Sequence, residues 1–347
     1  IEATIAGKSS LDMPSLYVKT RDQAYEFLKS YGFDLKNCNE HDEVKEILST
    51  AIYFIENVLL PYKDISSIDR SVVIDDPLTI LVLASDKSHP LQHWYCSILR
   101  VCHAVTHARY LYGEKARTQI AAHVKNHIEK YLQRDGELLF LGDEHLKIPL
   151  YKLEFKDEKP WERIVLKLLH KAGNLGENVY DRLGMRLVSM DQASSLLIIH
   201  FLRSRNVVSL VHSLPLRAKN NLIDLEKMKA WYDQLSEALN NDEITLEEFK
   251  ECFKSYRTLS FDVENSPNPD HVNIHSADSY KAIQFTTRIL YHHYDSSHLG
   301  GETFFFPFEV QILDKETYLE NTNGIAEHEQ YKQRQKRSAA KRIFVWA

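Results

Sequence analysis

Apolar residues recur every three or four positions from Thr20 to about Gln133, as in DEVKEILSTAIYFIENVLLPY (42–62), LQHWYCSILRVCHAVTHARYLY (91–112) and EKARTQIAAHVKNHIEKYL (114–132). That spacing lays one apolar stripe along a helix, so residues 1–136 are predicted to form a helical bundle. Thr20, with Gln23 three residues on, predicts the start of its first helix, because hydroxyl and amide can satisfy free backbone donors there. Pro61 and Pro90 fit the ends of neighbouring helices. Beyond about residue 137 the runs become short or alternating: ELLFLG (137–142), HLKIPLYKLEF (145–155), LGMRLVSM (183–190), VVSLVHSL (207–214), SYKAIQFTTRILYHHY (279–294) and TFFFPFEVQIL (303–313). These predict strands. Helical patterns at 161–173, 191–203 and 315–332 lie among them, so residues 137–347 are expected to form a mixed β-sheet flanked by helices. The charged stretch 222–256 reads as two amphipathic helices inserted between strands, after which SPNPD (266–270) returns the chain to the sheet. The expected fold class is α+β, an N-terminal helical bundle followed by that sheet.

Composition narrows the class without changing this outline. Hydrophobic residues make up 44% and charged residues 27% of 347, which is ordinary globular usage and excludes general disorder or a fibrous chain. A formal charge of −6 argues against binding nucleic acid with the whole chain, since that requires a basic excess to displace counterions from phosphates. The scattered Cys38, Cys96, Cys102 and Cys252 suggest free thiols in a reducing compartment. No run approaches the ~20 apolar residues of a membrane span, so a cytoplasmic protein with no membrane partner is expected.

The candidate chemistry lies in the second half. Asp181 precedes a predicted strand with Arg186 five residues later, while Glu309 and Gln311 alternate on another strand and so share a face. Carboxylates from two strands of one sheet can converge on one point, and magnesium takes one or two carboxylates plus phosphate oxygens. A solvated strand end, or an ion pair between Asp181 and Arg186, explains the same residues more plainly. Lys159, Arg163, Lys167 and Lys171 are spaced by four on or near one predicted helix, a stripe suited to anionic phosphate or to an ordinary solvated face.

FEVQILDKETYLENTNGIAEHEQYK (308–332) resembles the E-x-Q-I-R-T and A-E-x-G-x-A-A-H-W-x-Y-K segments of the RelA/SpoT synthetase domain, with Glu309, Gln311, Gly324, Ala326, His328, Tyr331 and Lys332 in step without a gap. VYDRLGMRL (179–187), LVHSLPLRAKNNLID (210–224) and SYKAIQFTT (279–287) are similar to three further stretches of that family, in its order. The chain departs from the pattern at Ser279 for glycine, Gln284 for histidine and Leu313 for arginine. FKDEKPWERI (155–164) also puts Asp157 and Lys159 where the family has an arginine-x-lysine pair, and Arg163 where it has serine.

The resemblance implies a nucleotidyltransferase-like fold and a pyrophosphokinase that moves pyrophosphate from ATP to the 3′ hydroxyl of a nucleotide such as GDP or GTP. The inserted helices at 222–256 stand where the family has a short acceptor loop, which implies a larger or different acceptor, and a tRNA end is one candidate because some small toxin members of the family pyrophosphorylate it. It implies Asp181 and Glu309 as ligands of a magnesium ion, Glu309 as the base with Gln311 beside it, and Tyr280 stacking on the acceptor base. It further implies Lys159, Arg163, Lys167, Lys171, Arg186, Lys219, Gln284 and His328 as nucleotide contacts. The departures leave a catalytically silent nucleotide sensor as the alternative. The basic run YKQRQKRSAAKR (331–342) could meet RNA phosphates, although a solvated terminal helix accounts for it more simply.

In the helical half, His41-Asp42 is the one histidine-aspartate dipeptide of the kind a family hydrolase domain uses, and Asp42 is read instead as a helix cap. His93, Cys96, His103 and His107 share a helical face; His103 and His107 could chelate zinc, but packing against neighbouring helices is the default.

Overall fold

A computed structural model describes residues 9–13, 16–60, 74–110, 114–156, 159–170, 181–258, 281–293, 302–323 and 325–344. In chain order the helices are α1 (Arg21–Tyr31), α2 (Cys38–Phe54), α3 (Pro77–Ser85), α4 (Gln92–Tyr110), α5 (Glu114–Glu129), α6 (Trp161–His170), α7 (Gln192–Ser204), α8 (Leu225–Asn240), α9 (Leu246–Lys254), α10 (Lys315–Asn323) and α11 (Ile325–Ile343). The strands are β1 (Leu132–Asp135), β2 (Leu138–Gly142), β3 (Lys147–Lys156), β4 (Gly184–Ser189), β5 (Lys219–Asn220), β6 (Ile283–His293) and β7 (Glu302–Asp314). The architecture is α+β, and the strands make one mixed sheet in the order β1-β2-β3-β4-β7-β6-β5, with only β4 and β7 parallel. None of the described helices is long and apolar enough to cross a membrane.

The chain divides into two compact units, one of residues 1–111, 160–179 and 330–347, the other of 112–159 and 180–329. Where the sequence reading makes a single cut at 136, contacts group α5 with the sheet, and α6 and most of α11 with the helices. The reason is burial. Ile120, Val124 and Ile128 of α5 enter the core of the sheet unit, while Ile164, Val165, Leu168 and Leu169 of α6 enter the helical core together with Ala339 and Ile343 of α11.

In the helical unit, Thr20 caps α1 by accepting from the Gln23 amide at 3.2 Å, and Gln23 Oε1 accepts from Lys19 N–H at 2.8 Å, one residue earlier than a reciprocal box on Thr20 requires. Gly32 ends the helix at φ +117°, a left-handed conformation that a residue without Cβ adopts at no steric cost, and its N–H bonds the Leu28 and Lys29 carbonyls. Asp42 is not a cap. α2 begins at Cys38 behind Asn37, whose side chain accepts from Asn39 N–H, so Asp42 lies within the helix on its exposed side. The basic end of α11 is partly structural, because Arg342 donates to both Asp12 oxygens at 2.6 and 3.0 Å and to the Leu169 carbonyl at 3.0 Å.

In the sheet unit, the inserted segment forms α8 and α9, the first capped by Asp224 and the second by a capping box of Thr245 and Glu248. The stretch 207–214 is not a strand. It forms a 3₁₀ turn at Leu210–His212, leaves Val211 exposed and meets β6 only through isolated bonds such as Leu214 N–H to the Thr286 carbonyl at 2.8 Å. Pro215 follows directly, has no N–H to donate to a ladder, and starts a second such turn.

Candidate functional site on the polar face of the sheet

Alternation divides the central strands into two faces. Met185, Leu187, Phe285, Val310 and Ile312 point one way and are buried with Ala193, Ile198 and Phe201 of α7. The alternate residues, Lys152, Glu154 and Lys156 on β3, Arg186 on β4, Glu309 and Gln311 on β7, and Gln284 on β6, point the other way. Strand register lines these up in a row. Glu154 faces Arg186, Arg186 faces Gln311, Gln311 faces Gln284 and Gln284 faces Lys219 of β5.

Hydrogen bonds run along the row with one direction. Arg186 carries only donors, so its Nη1 donates to Glu154 Oε2 at 3.1 Å and its Nη2 and Nε donate to Gln311 Oε1 at 3.1 and 3.3 Å. With its oxygen committed, Gln311 turns Nε2 to Gln284 Oε1 at 3.1 Å. Gln284 in turn directs its own Nε2 to Glu309 Oε1 at 2.6 Å. The second oxygen of Glu309 accepts from the Lys156 ammonium. At the other end, Glu154 also accepts from Tyr318 of α10 at 2.8 Å and pairs with Lys152 at 2.7 Å. Each amide orientation is thus fixed by its neighbour, and the chain terminates on a carboxylate that is 5% exposed.

The charges are perturbed accordingly. Burial pushes the Lys156 ammonium below its ordinary value, opposed by the adjacent charges of Glu309 and Asp181. Burial would raise the Glu154 carboxyl, but hydrogen bonds from Lys152 and Tyr318 and the charge of Arg186 outweigh it and hold it low. Asp181, just before β4, pairs with Lys159 at 2.6 Å, and Lys159 N–H is held by the Arg182 carbonyl at 3.3 Å. Asp181 and Glu309 therefore act on the same ammonium, that of Lys156.

Of the residues singled out in the sequence, Asp181, Lys159, Arg186, Gln284, Glu309, Gln311 and Lys219 all belong to the sheet unit. Asp181 pairs with Lys159 and not with Arg186, which instead bridges Glu154 and Gln311. The basic stripe is divided. Lys159 and Pro160 precede α6, so Lys159 lies outside the helix while Arg163 and Lys167 lie on it in the helical unit. Lys171 and Tyr280 fall outside the described residues, as does the side chain of His328 on α11.

Lys156, Glu154 and Gly184 were not singled out. The signal was present in KLEFK (152–156), whose charges at every second position share a strand face, but the predicted strand stopped one residue short of Lys156. Gly184 sits beside Glu309 in register, and a Cβ there would lie 2.6 Å from the Glu309 carbonyl oxygen and 3.2 Å from its Cβ.

Carboxylate oxygens are the donors a hard cation takes, but Glu309 and Asp181 each already hold an ammonium that a divalent ion would have to displace. Among the described residues no group of three or more His, Cys, Asp or Glu gathers as a complete metal cage. A magnesium ion would thus need a ligand's phosphate oxygens to complete its shell. In the helical unit, the rings of His103 and His107 lie 4.4 Å apart, but His103 Nδ1 is engaged by the Tyr31 hydroxyl at 2.8 Å and Cys96 packs against the Ala84 carbonyl at 3.2 Å. Both are packing contacts with neighbouring elements of the helical unit. Compared with known proteins, the chain matches no family model and no curated protein.

Proposed function

We propose that the polar face of the sheet is the site of an ATP- and magnesium-dependent pyrophosphokinase, which transfers pyrophosphate to the 3′ hydroxyl of a nucleotide or an RNA end. The observation that carries this reading is the buried Glu309, reached by a directional hydrogen-bond chain and set in one field with Lys156 and Asp181. The resemblance of residues 308–332 to RelA/SpoT synthetases supports it independently.

A ribose hydroxyl attacks poorly until its proton is taken, and Glu309 is the carboxylate suited to take it. The hydroxyl oxygen bonds to the β-phosphorus of ATP, the bond from that phosphorus to the α–β bridging oxygen breaks, and AMP departs. Phosphoryl transfer depends mainly on positioning and electrostatics, so Lys156, Arg186 and Lys159 would stabilise charge on the transferred group. Asp181 and Glu309 would hold the magnesium ion, which supplies neutralisation of phosphate charge. Gln284 and Gln311 keep the base oriented, and Lys219 offers a cation at the exposed end of the same row.

Both Glu309 oxygens are already engaged, one by Lys156 and one by Gln284, and this favours a second reading: a nucleotide-binding sensor without turnover. Incubation with labelled ATP against GDP, GTP and tRNA separates the two. Transfer predicts AMP release and a labelled acceptor, both lost in Asp181→Ala and Glu309→Ala. Tight nucleotide binding by calorimetry without products selects the sensor, and absence of any nucleotide binding defeats both.

A further inference from the structure

The helical unit holds a partly open pocket of about 300 Å³, at the lower end of the range for small-molecule pockets. Its walls are aliphatic and aromatic, from side chains such as Phe27, Val44, Ile47 and Leu81. One face of α4 supplies the polar exceptions, Arg100, His103 and Thr106, at spacings of three. A cavity this apolar has no need of a cation. Yet Arg100 lines it at 9% exposure.

The surroundings of that guanidinium are incomplete. Nη1 donates to the Ile343 carbonyl at 2.7 Å and Nη2 to the Met13 carbonyl at 2.8 Å, whereas the Nε–H has no acceptor among the described residues. The nearby carboxylate, Asp12, is committed to Arg342. An arginine cannot shed its proton to escape burial, and because the Asp12 charge that reaches Arg100 is shared with Arg342, a buried cation whose direct acceptors are carbonyl oxygens is costly until an anion joins it. His103 cannot serve as a second cation, because burial lowers its pKa to about 4 and leaves it neutral near pH 7.

We propose that this cavity binds a small amphipathic acid, an apolar body filling the aliphatic chamber and one carboxylate accepting from Arg100. The site lies wholly within the helical unit, so it does not depend on the function assigned to the sheet.

Calorimetry on the full chain tests this with unbranched carboxylates of eight to twelve carbons, kept below micelle formation, against alcohols of equal length. One site per chain is expected, with the acid binding about tenfold or more tighter than its alcohol, the usual effect of a hydrogen bond to a charged group. Arg100→Met should bring acid and alcohol to within about twofold by weakening the acid alone, and Val44→Phe should abolish binding of both by filling the chamber. Failure of wild-type protein to bind any acid, equal binding of acid and alcohol, several weak sites per chain, or an undiminished preference in Arg100→Met would each overturn the proposal. The wild-type comparison and Val44→Phe decide the matter even if Arg100→Met does not fold.

Discussion

Lys156 on β3 and Glu309 on β7 form an ion pair across the strand that separates them, because Gly184 is their common register neighbour on β4. Strands lie about 4.8 Å apart, so the lysine stem must cross the middle strand to reach the carboxylate. A residue without a side chain leaves that path open. The same glycine lets the parallel pair β4 and β7 approach closely at the carboxylate's own backbone.

Gly184→Ala should therefore destabilise the sheet unit. The added methyl meets the Glu309 carbonyl oxygen at 2.6 Å, and backbone cannot rotate away as a side chain could. Overpacking of this kind costs about 1–3 kcal/mol. Urea denaturation followed by circular dichroism measures it, and a midpoint equal to wild type would contradict the close approach.

Lys156→Met and Glu309→Gln should prove strongly non-additive. Either change alone leaves a partner in a mostly buried site without its counter-charge, whereas the double variant removes both. A coupling of about 1–3 kcal/mol is expected for residues in one charged network. Stabilities of the four proteins around the cycle give the number directly, and additivity would show that the pair contributes nothing.

Glu154 predicts a loss of stability in acid. Its carboxyl is held below 4.5 by Lys152, Tyr318 and Arg186 despite burial, so the folded protein binds its proton less readily than the unfolded chain. The stabilisation is complete above pH 4.5 and is lost as pH falls through the lowered folded value. Glu154→Gln should flatten this limb in denaturant midpoints recorded as a function of pH. An unaltered limb would assign the acid sensitivity elsewhere.

His103 predicts a separate limb at higher pH. Burial, reinforced by His107, lowers its pKa from 6.5 to about 4, so the fold favours the neutral ring. Stability is full above pH 6.5 and declines as pH falls towards 4, because the unfolded chain binds the proton first. The ring is only half-buried, so a loss of about 1–2 kcal/mol is expected. His103→Asn should remove that slope between pH 4 and 6.5, and histidine NMR titration should place His103 well below ordinary imidazoles.

The elements were largely legible because each rests on local periodicity. Alternation marked β4, β6 and β7 to within a few residues, and the inserted charged stretch does form α8 and α9. The exceptions have local causes. Residues 207–214 carry strand-forming side chains but run into Pro215, and Asn37 takes the capping role assigned to Asp42. At the candidate site, Glu309 and Gln311 could be named from their shared strand face, whereas Lys156 and Gly184 could not. Their part depends on which strands lie beside β4.

Local spacing by itself determined that the chain has a helical first half, an α+β second half with alternating strands, and Glu309 and Gln311 on one side of their strand. Side-chain period within a strand is a property of the backbone and needs no partner. Tertiary structure alone decided that Glu154, Arg186, Gln311, Gln284 and Lys219 form one row, that Asp181 takes Lys159 and Arg186 does not take Asp181, and that α6 packs with the helices and not with the sheet. Those choices join residues far apart in the chain, 125 positions in the case of Arg186 and Gln311, and arise from strand order and burial that no local pattern encodes.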